Sequence, residues 1–526
     1  MRHPEPGGHT LGRWTADHAR LTPAKVAIDE RGVRTTYAEL DARAGNLADR
    51  LRAAGYRRGM RIATVTRSST AHVVWFFACA KAGLVLAPAN WRLSTAELAY
   101  QLQHCRPALI AATAEFSQHV AAALGEQAVP SVDLDRMADG DLEPPVAPAP
   151  GEGLTGLDNL AGRAHAVGHD DPPQDHDPLL LIYTSGSTSL PRGVVLTHAN
   201  CFWTNLSLSG AAGMTTEDVV LSVLPQYHVG GWNVQPLLAW WRGATVVLEP
   251  EFEPARVLHT LVEHQVTTMM GVPSHYRLIA ETPGFAEADL SGLTHMVVGG
   301  APMPEELLRT WHRRGVRVIQ GYGLSEAAPN VLLMPPEDAF TRVGSVGKPY
   351  PHVEVALADP ATGQRLSGAS SGELLVRGPA VFAGYHDDDQ ATAAAFHGKW
   401  LRTGDLATRD EAGYYRIVDR LSNMYISGGE NIAPAQVEQV LRRHPQVADV
   451  VVLGVPDEQW GEVGHAMVIP TDPDRPPPAA DILAHAREGL AGFKVPREVS
   501  FVPEFPRTAL HKVRREALLP ESKENR

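Results

Sequence analysis

A loop rich in hydroxyl side chains follows one of the apolar runs of this sequence. The run, Leu179 to Tyr183, has the length of a buried strand, and the loop after it reads TSGSTS from residue 184 to residue 189. Hydroxyl groups can donate hydrogen bonds to phosphate oxygens, a glycine lets the backbone approach an anion closely, and a nearby arginine adds positive charge. The stretch therefore predicts a phosphate-binding loop with these candidate ligands: Thr184, Ser185, Gly186, Ser187, Thr188 and Arg192.

Two common loops of similar composition are excluded by their spacing. No Gly-Lys-Ser/Thr follows at the distance that a Walker phosphate loop requires, and the stretch lacks the G-x-S-x-G pattern of a serine hydrolase. Taken alone, the composition also fits a surface loop of Ser, Gly and Thr that binds nothing. The other motifs of the chain must decide between a phosphate-binding loop and such a surface loop.

Strand-like and helical segments alternate on both sides of the loop. Capping-box spacings that begin at Thr36 and Ser94 predict two helices, and RIATVT from Arg61 predicts a strand. Such alternation predicts parallel sheets covered by helices, whose ligands bind at the carboxyl ends of the strands. Several later strands end in Gly-rich turns, and we expect these turns to face one site.

The character of the sequence changes twice toward the C-terminus. Residues 343–419 hold short alternating segments with many glycines, which predict a small antiparallel barrel or sheet. A helix and a strand predicted after Leu421 indicate a small separate α+β unit. We therefore predict an α/β fold with a large domain, residues 1–420, of two parallel-rich sheets with helices plus a small β-barrel, and a C-terminal α+β domain, residues 421–526.

The composition limits the partners and the location of the chain. A formal net charge of -13 without a Lys/Arg cluster argues against nucleic-acid binding. No apolar run reaches the ~18 residues of a membrane span, so we expect no membrane insertion. Three scattered cysteines without metal-ligand spacing favour a reducing compartment, and we expect the cytoplasm. The sequence leaves the oligomeric state open between a monomer and a homodimer.

Motifs spread over most of the chain resemble those of the adenylate-forming superfamily, which includes acyl-CoA synthetases, peptide-synthetase adenylation domains and luciferases. Residues 184–193 resemble that family's phosphate loop, Thr-Ser-Gly-Ser/Thr-Thr-Gly-x-Pro-Lys-Gly, with Ser189 in place of a Gly and Arg192 in place of the Lys. Further motifs appear in the family's order: GGAPM at 299–303, QGYGLSE at 320–326, WLRTGD at 400–405, SGGENI at 427–432 and PRTALHK at 506–512. The resemblance implies the family's fold, with a mobile C-terminal domain.

The resemblance implies a nucleotide site made from several of these motifs. Tyr322 would stack on the purine, Asp405 would accept both ribose hydroxyls, and Arg420 would join the ribose. Ser325 would contact the α-phosphate, and Glu326 would hold Mg²⁺, a hard cation that favours oxygen ligands. The other implied nucleotide residues lie in the adenine-facing turn and in the Tyr-Gly segment: Gly300, Ala301, Pro302, Gly321 and Gly323.

The resemblance also implies residues for catalysis, CoA binding and the acyl group. Lys512 stands at the position of the family's catalytic lysine, and His228 at that of an aromatic ring beside the substrate carboxyl, with a packed core histidine as its alternative. The implied pantetheine-facing turn is Gly428, Gly429 and Glu430, and the implied hinge is Leu421, Ser422 and Asn423. The acyl pocket would include Trp232, Asn233 and Gly299, and its glycines indicate room for a bulky or ring-containing acid.

The implied function is that of an acyl-CoA ligase that uses ATP, Mg²⁺ and CoA. A carboxylate attacks the α-phosphorus of ATP, and the thiol of CoA then displaces AMP from the acyl-adenylate. Because Ser189, Arg192, Ser422 and His511 depart from the family's usual residues, two alternatives stay open. One is a relative specialised for the thioester half-reaction on preformed acyl-AMP, and the other is a non-catalytic AMP-binding protein. No carrier domain follows Lys512, so we expect CoA as the acceptor.

Overall fold

Two compact units make up the chain. The computed structural model describes residues 7–148, 172–184, 190–294, 296–427, 430–457, 459–507 and 513–518. The first unit consists of Met1–Val355 and Val376–Leu401, and the second of Ala356–Leu375 and Arg402–Arg526.

The first unit contains a sheet to which the described residues contribute nine strands. Its central strands are parallel and lie in the order Val318–Gly323, Met296–Val298, Thr268–Gly271, Val219–Ser222, Thr245–Leu248 and Val26–Glu30. Antiparallel strands extend the two edges: Asn330–Leu333 and Lys348–Pro349 on one side, and Val33–Thr36 on the other. The Gly-rich turns after the parallel strands therefore lie along one edge of the sheet, as the sequence predicts.

A second sheet of the first unit carries the predicted phosphate loop. Within the described part of the chain it has seven strands, of which the parallel ones are Pro178–Thr184, Val85–Ala89, Arg61–Val65, Leu109–Ala112 and Ser131–Asp133. Beyond Pro178–Thr184 the sheet continues with two antiparallel strands, Arg192–Thr197 and Gly384–Tyr385. The prediction of two parallel-rich sheets is confirmed.

Helices connect and cover these strands. The predicted capping boxes are both formed, because the Thr36 and Ser94 hydroxyls accept the backbone N–H of Glu39 and Glu97 at 3.2 and 3.3 Å. The α-helices described in the first unit are Arg13–Leu21, Tyr37–Ala53, Thr70–Ala82, Thr95–Cys105, Ser117–Leu124, Leu134–Asp139, His198–Ala212, Gly230–Asn233, Pro236–Arg242, Pro254–Glu263, Pro273–Ala280, Glu305–Arg313 and Asp389–Ala394.

The antiparallel region predicted for residues 343–419 is present as a sheet. Its strands lie in the order Arg365–Leu366, Glu354–Ala358, Ser370–Arg377, Trp400–Arg409 and Phe396–His397, and Tyr415–Arg420 also pairs with Trp400–Arg409. The last two strands of the chain in this sheet, Trp400–Arg409 and Tyr415–Arg420, form a hairpin that carries two predicted ribose ligands.

The rest of the second unit is α+β, as predicted. Its sheet contains Glu430–Ile432, Tyr425–Ser427, Gly461–Pro470 and Val447–Asp457, with Glu498–Phe501 parallel to Gly461–Pro470. The helices Pro434–Leu441 and Ala479–Gly489 pack on it through buried side chains, including Val437, Leu441 and Ile482. No helix in the described ranges of either unit is long and apolar enough to cross a membrane.

Candidate functional site

The structure describes both ends of the predicted phosphate loop. Thr184 and Arg192 are register partners on adjacent antiparallel strands, so the loop between them begins and ends at the same point of the sheet. The Arg192 guanidinium lies 5.5 Å from the centre of the Tyr385 ring, and its Nε lies 3.7 Å from Asp388 Oδ2. Ser185, Gly186, Ser187 and Thr188 fall outside the described residues, so their contacts with phosphate stay a prediction.

Glycines lie at or next to the carboxyl ends of three neighbouring parallel strands. Gly271 is the register partner of Val298, and Val298 that of Gln320, so Gly299 and Gly321 are neighbours one residue further along. The Gly299 N–H donates to the Gly271 carbonyl at 3.2 Å. A Cβ at position 299 would lie 3.0 Å from Met270 Cε and 3.2 Å from the Gly321 carbonyl oxygen. The absence of side chains at residues 299 and 321 leaves a short flat strip of backbone beside Met270, and exposed Gly300, Ala301 and Pro302 follow it.

The Tyr322–Glu326 segment leaves the same edge one strand further. Gly323 packs so closely on the chain that a Cβ there would lie 1.7 Å from the Pro329 carbonyl oxygen, so only glycine fits without moving the backbone. The next residues, Ser325–Ala327, form a turn of 3₁₀ helix, and Tyr322, Ser325 and Glu326 are all half-buried. Tight backbone packing therefore fixes the backbone positions of Tyr322, Ser325 and Glu326.

Tyr385 holds the carboxylate of Glu326, and sequence reasoning missed it. Its hydroxyl donates to Glu326 Oε1 at 2.8 Å, and the Phe382 N–H donates to the Glu326 carbonyl at 2.8 Å. Burial, and then the neighbouring Glu326 carboxylate, raise the pKa of Tyr385, so the phenol keeps its proton and acts as the donor. The sequence offered an aromatic residue in a Gly-Tyr pair, but nothing local connects it to Glu326.

The predicted ribose ligands meet on the hairpin of the second unit. Asp405 and Arg420 are directly opposite each other, with Arg420 Nε 3.1 Å from Asp405 Oδ1, and Asp405 is only 4% exposed. The Thr403 hydroxyl accepts the Asp405 N–H at 3.0 Å and donates to the Leu374 carbonyl at 2.7 Å. The carboxylate is therefore fixed on a rigid strand, which suits recognition of vicinal hydroxyls.

The predicted hinge, Leu421–Asn423, is a turn of 3₁₀ helix held by an aspartate that sequence reasoning did not select. Asp419 Oδ1 accepts the Arg420 N–H at 2.7 Å and the Asn423 side-chain amide at 3.0 Å, and its Oδ2 accepts the Ala435 N–H at 2.7 Å. One buried carboxylate thus ties the hinge to the first turn of the helix Pro434–Leu441.

The remaining predicted residues of the second unit are described only in part. Glu430 begins a strand that pairs with Ser427, so residues 428 and 429 connect register partners. Arg507 and Val513 form an antiparallel bridge, and the Arg514 N–H donates to the Pro506 carbonyl at 2.8 Å, which closes the segment that contains residue 512. Gly428, Gly429, His511 and Lys512 lie outside the described residues, and their roles stay predictions.

The candidate acyl residues around His228 differ in exposure. His228 is half-buried beside the Tyr227 ring, whereas Trp232 and Asn233 have no exposed surface. Trp232 Nε1 donates to the Gln226 carbonyl at 2.6 Å, and its ring stacks on Phe76. Trp232 and Asn233 are therefore fully buried in the packed interior of the first unit, and their contact with an acyl group stays a prediction.

Buried amides surround Asn233. Asn205 Nδ2 donates to Asn233 Oδ1 at 3.1 Å, and Asn330 Nδ2 donates to the Asn233 carbonyl at 3.2 Å and to Thr204 Oγ1 at 3.0 Å. This network links the helix His198–Ala212 with the segment after His228 and with the strand after Glu326. The network therefore fixes the backbone next to His228 and next to Glu326.

The oxygen donors of this chain fit Mg²⁺ only as a partner of phosphate. No group of three His, Cys, Asp or Glu with metal-binding geometry occurs in the part of the chain that the structure describes. Mg²⁺ in nucleotide sites is commonly held by one or two carboxylates together with phosphate oxygens and water. Half-buried Glu326, a hard donor oriented by Tyr385, suits such a site, whereas an all-protein cage is not available among the described side chains.

Comparisons with known proteins place the chain in a family. The AMP-binding enzyme family matches residues 15–386, and the AMP-binding enzyme C-terminal domain matches residues 436–512. A feruloyl-CoA synthase of Amycolatopsis sp is 38% identical over 505 residues, 96% of this chain and 97% of the relative, and an indoleacetate–CoA ligase of Aromatoleum aromaticum is 35% identical over 507 residues, 96% and 97% of the two chains. The o-succinylbenzoate CoA synthetase of Bacillus subtilis, solved with its acyl-adenylate, aligns at a TM-score of 0.82 with 30% identity over 96% of this chain and 97% of that one.

The chain belongs to the AMP-binding enzyme family, the adenylate-forming enzymes of the acyl-CoA synthetase branch. It is an ATP-dependent, AMP-forming acyl-CoA synthetase, which joins a carboxylic acid to CoA through an acyl-adenylate and uses ATP, Mg²⁺ and CoA. The predicted family, fold class and reaction are confirmed.

Proposed function

We propose that the acid joined to CoA by this enzyme carries an aromatic or similar planar ring. The observation that carries the proposal is the strip formed by Gly299 and Gly321, where two neighbouring strands present backbone without side chains. A flat ring packs well on such a strip, and the half-buried Met270 beside it offers an adaptable apolar contact. Relatives named for ferulate, indoleacetate and 2-succinylbenzoate, all ring-bearing acids, support the proposal.

In adenylation, the residues of the proposed nucleotide site have separate roles. Thr184 to Thr188 and Arg192 donate to phosphate oxygens, Ser325 contacts the α-phosphate, and Lys512 stabilises the charge that develops as the carboxylate attacks. Asp405 accepts the ribose hydroxyls with Arg420 beside it, a role that their 3.1 Å contact and strand register support. Tyr322 stacks on the purine, and Gly300, Ala301 and Pro302 turn the chain past it. When bound, Mg²⁺ at Glu326 offsets phosphate charge.

In thioester formation, a domain formed by residues 421–526 moves as a separate body. Rotation about Leu421–Asn423 withdraws Lys512 and brings the turn of Gly428, Gly429 and Glu430 to the acyl-adenylate, where the absence of side chains at 428 and 429 leaves room for pantetheine. The carboxylate of Asp419 fixes one end of the rotating segment, which supports a hinge at this position.

A half-reaction assay with a panel of acids tests the function. The purified enzyme with ATP and Mg²⁺ is given ferulate, indoleacetate, 2-succinylbenzoate, octanoate or hexadecanoate, and pyrophosphate and CoA thioester are measured separately. We expect a kcat/KM for at least one ring-bearing acid at least about tenfold above that for the straight-chain acids, a difference of ~1.4 kcal/mol. A preference for octanoate or hexadecanoate would contradict the ring proposal.

The same assay separates the alternative in which only the thioester half-reaction is retained. Synthetic feruloyl-AMP supplied with CoA bypasses adenylation, so an enzyme specialised for the second step forms thioester without releasing pyrophosphate from ATP. We expect both steps to proceed. Ser189 and Arg192 favour the alternative by their departure from the family's loop, and pyrophosphate release by the Ser189→Gly and Arg192→Lys variants measures their effect.

We place the enzyme in the cytoplasm. Cys79, Cys105 and Cys201 are all buried and form no disulfide, and burial raises the pKa of the Cys105 and Cys201 thiols to about 12. Buried neutral thiols suit a reducing compartment. Cell fractionation with a tagged chain tests this location, and light scattering on the purified enzyme distinguishes a homodimer from a monomer.

A further inference from the structure

Tyr385 contacts two residues of the predicted nucleotide site, Arg192 and Glu326. It lies on the short strand Gly384–Tyr385, which pairs with Val194 and Val195 just after the phosphate loop, and it is 8% exposed. Its ring faces the Arg192 guanidinium at 5.5 Å, and its hydroxyl donates to Glu326 Oε1 at 2.8 Å. One side chain therefore links the arginine that follows the loop to the carboxylate that suits Mg²⁺.

The surrounding chain holds Tyr385 in this position. Its N–H donates to Thr392 Oγ1 at 2.8 Å, and that hydroxyl donates to the Asp388 carbonyl at 2.9 Å. The Phe382 ring packs edge-on against Tyr385 at 4.9 Å, while the Phe382 N–H donates to the Glu326 carbonyl. Residues 382–385 thus contact both the backbone and the side chain of Glu326, which leaves the carboxylate little freedom to rotate.

We propose that Tyr385 is a positioning residue for adenylation: its hydroxyl orients Glu326 toward the phosphate-bound metal, and its ring keeps Arg192 beside the phosphate loop. The inference rests on the proposed role of Glu326. A carboxylate whose one oxygen accepts a fixed hydrogen bond presents its other oxygen in a defined direction, and loss of such outer partners commonly weakens metal binding by about 10- to 100-fold. The ring contributes a cation–π contact that depends on the aromatic face and not on the hydroxyl.

Two substitutions separate the contributions of the hydroxyl and the ring. Tyr385→Phe removes the hydroxyl, with its hydrogen bond to Glu326 and its contact with Arg192, and retains the aromatic face beside Arg192, whereas Tyr385→Leu removes the hydroxyl and the aromatic face. Tyr56→Phe is the matched control, because Tyr56 is a buried tyrosine of the same unit whose hydroxyl has no hydrogen-bond partner among the described residues.

Metal binding is measured directly with Mn²⁺, by electron paramagnetic resonance on the enzyme–ATP complex. We expect Tyr385→Phe to raise the Mn²⁺ dissociation constant by about tenfold with an unchanged KM for ATP at saturating Mg²⁺. Tyr385→Leu should also raise the KM for ATP, and Tyr56→Phe should change neither quantity. Thioester formation from supplied acyl-AMP should proceed at the wild-type rate in all three variants, which shows that each is folded.

The Glu326→Gln variant in the same titration distinguishes failure of the inference from failure of the proposed function. If Glu326→Gln weakens Mn²⁺ binding and Tyr385→Phe does not, Tyr385 has no positioning role although Glu326 holds the metal. If Glu326→Gln leaves Mn²⁺ binding unchanged, the metal role of Glu326 is wrong and the inference falls with it. Equal loss of adenylation and thioester formation in Tyr385→Phe would assign the residue to structure alone.

Discussion

The predicted nucleotide-binding residues of the two units are held in place by different means. In the second unit, Asp405 and Arg420 stand opposite each other on a hairpin, so local strand register is enough to bring them together. In the first unit, Glu326 depends on the tight turn at Gly323 and on a hydrogen bond from Tyr385, 59 residues further along the chain. The predicted ribose ligands are therefore brought together by one hairpin, whereas the proposed metal ligand requires much of its unit to be folded.

The largest expected effect is on the adenylation rate when Lys512 is removed. This substitution tests whether the second unit supplies a catalytic positive charge in addition to the predicted ribose ligands. In the proposed mechanism its ammonium stabilises negative charge only while the carboxylate attacks, so Lys512→Ala should slow pyrophosphate release by roughly 10²-fold or more. Thioester formation from acyl-AMP should stay within twofold of the wild type. The exposed Lys399→Ala is the control and should alter neither step.

A companion variant refines this prediction. His511 is bulkier than the glycine usual before the lysine, so His511→Gly should leave thioester formation unchanged and raise the adenylation rate if the histidine holds Lys512 imperfectly. Equal slowing of both half-reactions in Lys512→Ala would rule out the proposed division between the two steps.

Asp405→Ala tests the predicted ribose site on the hairpin of the second unit. Each ribose hydroxyl that loses its acceptor costs about 1 to 3 kcal/mol, so AMP affinity should fall by at least about 30-fold. Titration calorimetry with AMP measures the change, and Glu354→Ala, which removes an exposed carboxylate paired with Arg377, serves as the control. AMP affinity equal to that of the wild type in a folded Asp405→Ala protein would remove this carboxylate from the site.

Gly323→Ala tests the tight turn of the first unit on which Glu326 depends. The added Cβ would overlap the Pro329 carbonyl oxygen, so the turn that carries Tyr322 and Glu326 must shift, and the free energy of unfolding should fall by about 3 kcal/mol, the upper end for overpacking. Chemical denaturation measures this loss. Gly45→Ala is the matched control, since Gly45 lies in the helix Tyr37–Ala53 with nothing within 4 Å of an added Cβ, and alanine there should stabilise the protein by about 0.5 to 1 kcal/mol.

The sequence was sufficient for the features that depend on local patterns. Apolar runs alternating with capped helices predicted the parallel sheets, and the motifs that contain Asp405 and Arg420 predicted a pair that strand register brings together. Glycine turns after strands likewise predicted the carboxyl edge with Gly299 and Gly321, because backbone conformation leaves a trace in residue choice.

The features that escaped prediction depend on contacts between distant segments. Nothing near Tyr385 indicates that its hydroxyl reaches Glu326, and nothing near Asp419 indicates that it accepts hydrogen bonds from both Asn423 and Ala435. The motif around Trp232 could not show that its ring stacks on Phe76 and that its Nε1 donates to the Gln226 carbonyl, because burial is a property of the folded unit. Tertiary packing therefore decided what motif spacing left open.

The smallest effect is expected at the predicted hinge, which is held by the Asp419 carboxylate and not by strand register. Asp419→Ala leaves the Arg420 and Ala435 N–H groups and the Asn423 amide without their acceptor, which should lower the free energy of unfolding by about 1 to 2 kcal/mol. Hydrogen exchange should become faster at Ala435 and at the start of the helix Pro434–Leu441. Asp472→Ala, in an exposed loop of the same unit, should change stability by less than about 0.5 kcal/mol.

The two half-reactions show whether this carboxylate serves the hinge or only local stability. A hinge whose ends are no longer fixed spends less time in either productive arrangement, so adenylation and thioester formation should both slow by about two- to fivefold while AMP affinity stays at the wild-type value. Loss of stability with both rates intact would show that Asp419 merely caps the helix. Loss of AMP affinity would instead show that its contact with the Arg420 backbone positions the ribose ligand, and would extend the hairpin arrangement of Asp405 and Arg420 to a third residue.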